Sequence, residues 1–346
     1  AAGSSIIVDM GGTTTDIAIV RNQEPVMAKE GIKIGQWNTM VKGLYVDTFG
    51  LGGDSAVRFD GAGNLFLDTV RVIPVSVLAS QYSSVLPKLE QLQRRVQVHS
   101  RWIHEFYVLL KDISAKTGYT DQERAICDLL KDGPLITMEL SKKLELDPHY
   151  IKTERLERDG VIIKSGLTPT DMMILKGDFD AYGKEAAQTA LNCMTVNLKI
   201  SAEEVPDRVY DLVIRRMYKN IGRILLHQEY PKDRSLFADE PSDKFLDYFY
   251  EQAKKAVPGV QDPAVTSARL ALSTDYPLVG VGAPIHVFLP TVARLLNTTA
   301  IIPQHCGVAN ALGAIASRSI AKCQLTLKVQ YKGVLFGGYS LFDRGQ

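Results

Sequence analysis

Cysteine is scarce in this chain of 346 residues: Cys127, Cys193, Cys306 and Cys323 are its only four, and they lie far apart. No CxxC pair exists, so the usual zinc spacings and a dense disulfide framework are excluded, and reduced thiols in a cytoplasmic protein are expected. Charge of one sign is also missing. Lys plus Arg total 40 against 39 for Asp plus Glu, a net charge of +1. That balance excludes a basic nucleic-acid coat or an acidic tail as the dominant character, though not a local basic patch. No apolar run approaches the roughly eighteen residues of a membrane span. The start shows no basic segment leading into an apolar one of the signal-peptide kind. Internal repeats and low-complexity stretches are absent. What remains, 45% hydrophobic and 23% charged residues, can bury a core without a staple. The length suits two domains, or one large domain with insertions.

The first informative stretch is SSIIVDMGGTTTDIAIV, Ser4 to Val20. Two β-branched runs, Ile6–Val8 and Ile17–Val20, flank Asp9-Met-Gly-Gly-Thr-Thr-Thr-Asp16, which predicts strand, tight turn, strand. A further strand is expected near Gly43–Thr48, before Gly50-Leu-Gly-Gly-Asp-Ser55. Ala56–Phe59 and Leu65–Leu67 flank a hairpin turn at Asp60–Asn64. From Val85 to about Thr117, apolar residues at three- and four-residue spacing predict one long helix or two consecutive ones. From Thr120 to Lys164, three helices (121–131, 137–144 with Thr137 as N-cap, and 147–158) and a strand at 161–164 resemble a winged helix. Helices are expected at 186–198, 202–226 and 243–257. A short strand should then lead through Leu278-Val-Gly-Val-Gly-Ala-Pro284 into a helix at 285–296. A strand at 300–303, a small-residue helix at 307–321 and a strand at 324–329 complete the pattern.

DMGGTTTD carries the chemistry. Gly11 and Gly12 let backbone amides approach an anion with no Cβ in the way. Thr13, Thr14 and Thr15 add hydroxyl donors at the same turn, and a concave backbone forms an anion nest. Asp9 and Asp16 bracket it. Carboxylates beside a phosphate make sense with Mg²⁺ between them, so both are candidate metal and catalytic residues. No GxxxxGK[ST] is present and a strand follows the turn, so this is not a Walker loop.

The hairpin resembles the phosphate-binding hairpins of the actin-like ATPases, and Leu278–Pro284 resembles the adenosine motif of that group, with Gly280, Gly282 and Ala283 along the nucleoside. Together with the GLGGDS loop (Gly52, Gly53 and Asp54 near the phosphate or substrate), Gly166-Leu-Thr-Pro-Thr-Asp171 and Ile302-Pro-Gln-His-Cys-Gly-Val-Ala-Asn-Ala-Leu-Gly-Ala314, these segments resemble the hydantoinase/oxoprolinase A-subunit family across nearly the whole chain. The resemblance implies an α/β fold: a ribonuclease-H-like half of an actin-like ATPase, in two stretches (1–84 and 166–346), interrupted at 85–165 by a helical, winged-helix-like insertion. It implies ATP and Mg²⁺ as cofactors and an ATP-dependent hydrolase opening a cyclic amide such as hydantoin or 5-oxoproline, with a B-type partner subunit or a homo-oligomer as partner. Because a single hairpin precedes the adenosine motif, it matches the second of the family's two hairpins, and the chain is expected to be the C-terminal portion of a longer protein.

Other readings stand beside this one. A non-catalytic or regulatory ATP-binding protein signalling through the winged helix, or a reactivating ATPase, would carry the same hairpin. Lys152, Arg155, Arg158 and Lys164 give the winged unit a basic face, but Glu154, Glu157 and Asp159 blunt it, which argues against duplex DNA. Asp171 reads as a turn former or helix cap. His305 beside Cys306 lacks any feature that would orient a nucleophile. His99 and His104 are five apart and do not share a helix face, so they make no metal pair.

Overall fold

The computed structural model describes residues 3–28, 33–34, 37–38, 43–95, 98–99, 102–114, 116–230, 240–256, 270–316, 325–332 and 335–343. It is a mixed α/β molecule whose contacts divide it into two compact units, 1–307 and 308–346.

Strand β1, Ser5–Met10, buries Ile6, Val8 and Met10 and leaves Ser5, Ile7 and Asp9 half-buried. Strand β2, Thr15–Arg21, does the same with Thr15, Ile17 and Ile19. The period of two therefore sends the apolar set to one face. β1 and β2 pair antiparallel, and Val46–Phe49 joins the far side of β2 antiparallel. On the other side of β1, Leu278–Val281 pairs parallel to it, and Ala300–Ile301 parallel to that. The apolar face packs on the long helix Val205–Glu229 and on helix Ile285–Leu295, through Val213, Met217 and Ile221 and through Phe288, Leu289 and Val292. Three parallel strands thus end at one edge of the sheet, and open α/β sheets bind ligands outside the carboxyl ends of such strands.

A second core lies under the hairpin Ser55–Phe59/Leu65–Arg71, where Val57, Leu78, Leu89, Ala187 and Leu191 meet. A third gathers Ile126, Leu130, Leu140, Leu156 and Ile162.

The structure departs from expectation between Val85 and Thr117. Helix Val85–Gln93 forms, but Phe106–Leu109 is a strand between Leu135–Ile136 and Ile162–Gly166. Phe106, Tyr107 and Val108 are all buried, so a run apolar on both faces carries no period that distinguishes strand from helix. Positions 96–97, 100–101 and 115 of that expected helix lie outside the described residues.

The winged-helix-like stretch has helices at Asp121–Leu130 and Thr137–Leu144, but its third helix is broken. Pro148–Tyr150 is a 3-10 turn, Ile151 is extended and buried, and only Glu154–Arg158 is helical. The strand Ile162–Gly166 pairs with Ile73–Pro74 on one side and Phe106–Leu109 on the other. Thr137 is the first helical residue rather than the cap; Glu139 reaches back to accept from the Ile136 N–H at 3.1 Å.

In the second unit, helix Ala309–Ala316 and the antiparallel hairpin Leu325–Lys332/Leu335–Asp343 are described. Residues 317–321 of the expected small-residue helix, Gln324, and Cys323 lie outside the described residues. No described helix is long and apolar enough to cross a membrane.

Candidate phosphate-binding site

At the carboxyl end of β1 the Gly11 N–H donates to the Thr14 carbonyl at 2.9 Å and closes the turn. Gly11, Gly12 and Thr13 are exposed and Thr14 is half-buried. Thr15 is not at the surface: it is fully buried, and its hydroxyl donates to the Leu51 carbonyl at 2.7 Å. Thr15 therefore anchors the turn to the next loop rather than offering a donor to a ligand.

That loop, Leu51–Asp54, is clamped on the turn. The Gly53 N–H donates to Gly11 at 3.0 Å and the Asp54 N–H to Gly12 at 2.8 Å, both to carbonyl oxygens. Gly52 is buried where a Cβ would run into the Gly12 carbonyl. The amides of Gly53 and Asp54 are thus committed to the hairpin, so the glycines of this loop hold the turn in shape. Asp54 does more. A Cβ on Gly12 would stand 2.5 Å from the Asp54 Oδ2, so the carboxylate overhangs the exposed turn. Burial pushes its carboxyl above the ordinary range, against the opposing pull of Arg71, which bridges to it at 3.2 Å.

Asp9 and Asp16 face each other across the β1–β2 ladder on the half-exposed side of the sheet. The Thr48 hydroxyl donates to Asp16. Asp9 and Asp16 therefore belong to the strands that carry the turn, and Asp54 to the loop clamped on it. Hard oxygen donors with room for water and phosphate suit Mg²⁺, which seldom uses an all-protein cage. Among the described residues no group of three or more His, Cys, Asp or Glu forms a closed metal cluster.

The third segment arrives beside β1 in register, with Val281 opposite Asp9. Gly282 has φ +97°, and a Cβ there would strike the Met10 carbonyl; its N–H donates to Cys306 at 2.9 Å. Ala283 is exposed. Helix Ile285–Leu295 then starts without a side-chain cap, leaving its first amides at this edge. Gly280 is different. It is buried, and its missing Cβ makes room for Ile285, Leu289 and Ile302, a packing role and not a ligand-facing one.

The fourth segment is Gly166–Asp171. Thr170 donates to the Gly53 carbonyl through its N–H at 3.0 Å and its hydroxyl at 2.8 Å. Its neighbour Asp171 is fully buried and accepts from the Val75 and Ser76 amides, the Ser76 hydroxyl and both donors of Thr168. Thr168, not Asp171, is the N-cap. Arg71 and Thr48 carried no sequence signal at all, because their roles exist only across strand pairs.

His305 is exposed, and Cys306 packs on the first core. His104 is buried, where desolvation and then Arg58 push its pKa down to about 4. His99 stacks on His149 with ring centres 6.3 Å apart. Between Gly118 and Lys164, Arg155 bonds the Gly118 carbonyl at 2.8 Å and Lys164 bridges to Glu157 at 3.1 Å, so part of the expected basic face is already engaged.

Residues 1–81 match the hydantoinase/oxoprolinase family model. Within these residues lie the hairpin, both of its aspartates, the clamping loop and Arg71; Thr170 and Gly282 come from beyond them. No curated protein matches the chain. Among solved structures, a nucleotide-free acetone carboxylase, described under ATP-dependent acetone carboxylation, is similar at 11% identity and a TM-score of 0.46. The similarity covers 95% of this chain and 30% of that one, so this chain spans less than a third of that protein.

Proposed function

We propose that this chain supplies one half of the nucleotide cleft of an ATP-dependent enzyme that opens cyclic amides of the hydantoin or 5-oxoproline type. The observation that carries the reading is the exposed Gly11-Gly12-Thr13 turn at the carboxyl end of β1, clamped from below and overhung by Asp54. The six-stranded sheet, with an antiparallel meander on one side of β1 and two parallel strands on the other, supports a ribonuclease-H-like half. The helices and strand between Asp121 and Gly166 would be its winged-helix-like insertion.

In this reading the turn amides and the Thr13 and Thr14 hydroxyls hold phosphate oxygens. Gly282 and Ala283 lie along the nucleoside, close to the turn because Gly282 is pressed on Met10. Asp9, Asp16 and Asp54 would hold Mg²⁺ through its waters, and the ion would neutralise charge between carboxylates and phosphates. ATP, when bound there, would supply a phosphoryl group to the ring amide oxygen with release of ADP, so that water could add at the carbonyl carbon and the C–N bond break with loss of phosphate. Asp9 or Asp16 would orient the attacking group.

Titration of Mg-ATP into the complete protein tests the site. Asp54→Asn and Thr14→Ala should each weaken binding by about tenfold, the loss of one charge-assisted contact. Full affinity in both variants would remove the hairpin from the nucleotide site. ATP turnover that ignores every hydantoin and 5-oxoproline offered would instead favour a regulatory or reactivating ATPase on the same hairpin.

A further inference from the structure

A cavity beside the long helix Val205–Glu229 has a volume of about 610 Å³, a size typical of small-molecule sites. Phe49, Phe66, Leu67 and Leu212 give it an apolar wall, and Arg215, Arg216, Lys219 and Arg223 line it from the long helix Val205–Glu229. None of the residues assigned above to phosphate, metal or nucleoside lines it.

The four cations are not equivalent. Arg215 bridges to Asp247 at 2.9 Å, Lys219 to Asp243 and Asp247 at 2.6 and 2.8 Å, and Arg223 to Asp243. Among the described residues Arg216 has no such carboxylate; one of its nitrogens donates to the Leu67 carbonyl at 3.2 Å. Asp68, whose field acts on Arg216, is itself held by Arg58 at 2.7 Å. Arg216 is half-buried, and desolvation and then Arg223 lower its pKa, while Asp68 raises it. A guanidinium kept partly out of water, with no carboxylate bonded to it among the described residues, is costly unless something completes it.

We infer that this cavity is a binding site for a small carboxylate bearing an aromatic or branched apolar body, its carboxylate paired with Arg216 and its body against Phe49, Phe66 and Leu212. The guanidinium fork suits a planar carboxylate bidentately, and the apolar wall discriminates against a bare ion.

Calorimetric titration of the full chain with benzoate, acetate, benzyl alcohol and inorganic phosphate tests this. Benzoate should saturate a single site, with acetate, benzyl alcohol and phosphate at least about tenfold weaker, and Arg216→Gln should weaken benzoate by about tenfold or more. Unchanged benzoate binding in a folded Arg216→Gln, preference for phosphate, or no saturable binding of benzoate would overturn the proposal. Crystals of the unaltered protein soaked with 4-bromobenzoate give a test that needs no variant: the bromine signal belongs beside Phe66 and Leu212, and a signal only elsewhere sinks the assignment. Asp54→Asn should leave benzoate binding intact, so failure at this cavity and failure at the hairpin are separable.

Discussion

Each glycine near the site is set by what stands where its Cβ would be. Gly52 faces backbone, the Gly12 carbonyl, which cannot move without carrying the hairpin with it. Gly280 faces the ends of three side chains, which can. Gly52→Ala is therefore expected to cost about 3 kcal/mol in urea denaturation, near the upper end for overpacking, and to abolish Mg-ATP binding with it. Gly280→Ala should cost about 1–2 kcal/mol and leave nucleotide affinity unchanged, since no ligand-facing surface is altered. A Gly280→Ala variant that lost nucleotide with unchanged stability would return this residue to the adenosine site, where the sequence pattern put it.

At the level of elements, Asp171 ties two helices and the site together. It completes the capping box of Pro169–Lys176 and also accepts from the first amides of Val75–Gln81, whose own N-cap, Pro74, offers no side-chain acceptor. Next to it, Thr170 holds Gly53, which holds Gly11. Asp171→Asn would turn an amide NH₂ toward at least one of these donors. The expected loss is about 3 kcal/mol in the unfolding midpoint analysis, because buried N–H groups are left unsatisfied. Stability of Asp171→Asn equal to the parent would show the two helices are capped some other way. The sequence reads Asp171 as a turn former or helix cap; Thr168 is the cap and Asp171 the N3 member of its capping box, and its reach to Val75 and Ser76, 95 or more positions away, has no local signature. The broken third helix of the 121–166 stretch is the same kind of outcome: Ile151 is buried in the third core and takes an extended conformation that ends the helical run.

For the whole molecule, two buried groups pull pH dependence in opposite directions. His104 titrates near 6.5 when unfolded and near 4 when folded, so between these values the unfolded chain takes up the proton first and acid removes stability. Asp171 titrates near 3.8 unfolded, and burial raises it to about 6 when folded against its hydrogen bonds, so over nearly the same window the folded chain holds the extra proton and rising pH removes stability. Each effect is worth about 3 kcal/mol across its window. The unaltered protein should therefore show a muted slope between pH 4 and 6. His104→Phe should make stability fall as pH rises through that range, and Asp171→Asn should make it fall as pH drops. Urea midpoints at several pH values read both, and parallel curves for all three proteins would mean neither group titrates as described.

The sequence by itself determined the hairpin and most of the helices, because alternation, helical spacing and a Gly-Gly-Thr turn are local properties of the chain. It also determined that Asp9 and Asp16 bracket that turn. Only the tertiary structure decided which glycines are exposed and which face a neighbour, that Thr15 is buried, that Phe106–Leu109 is a strand, and that Asp54, Thr170 and Gly282 converge on the end of β1. Those outcomes depend on partners far along the chain, and a residue's own sequence neighbourhood carries no record of what will be packed against it.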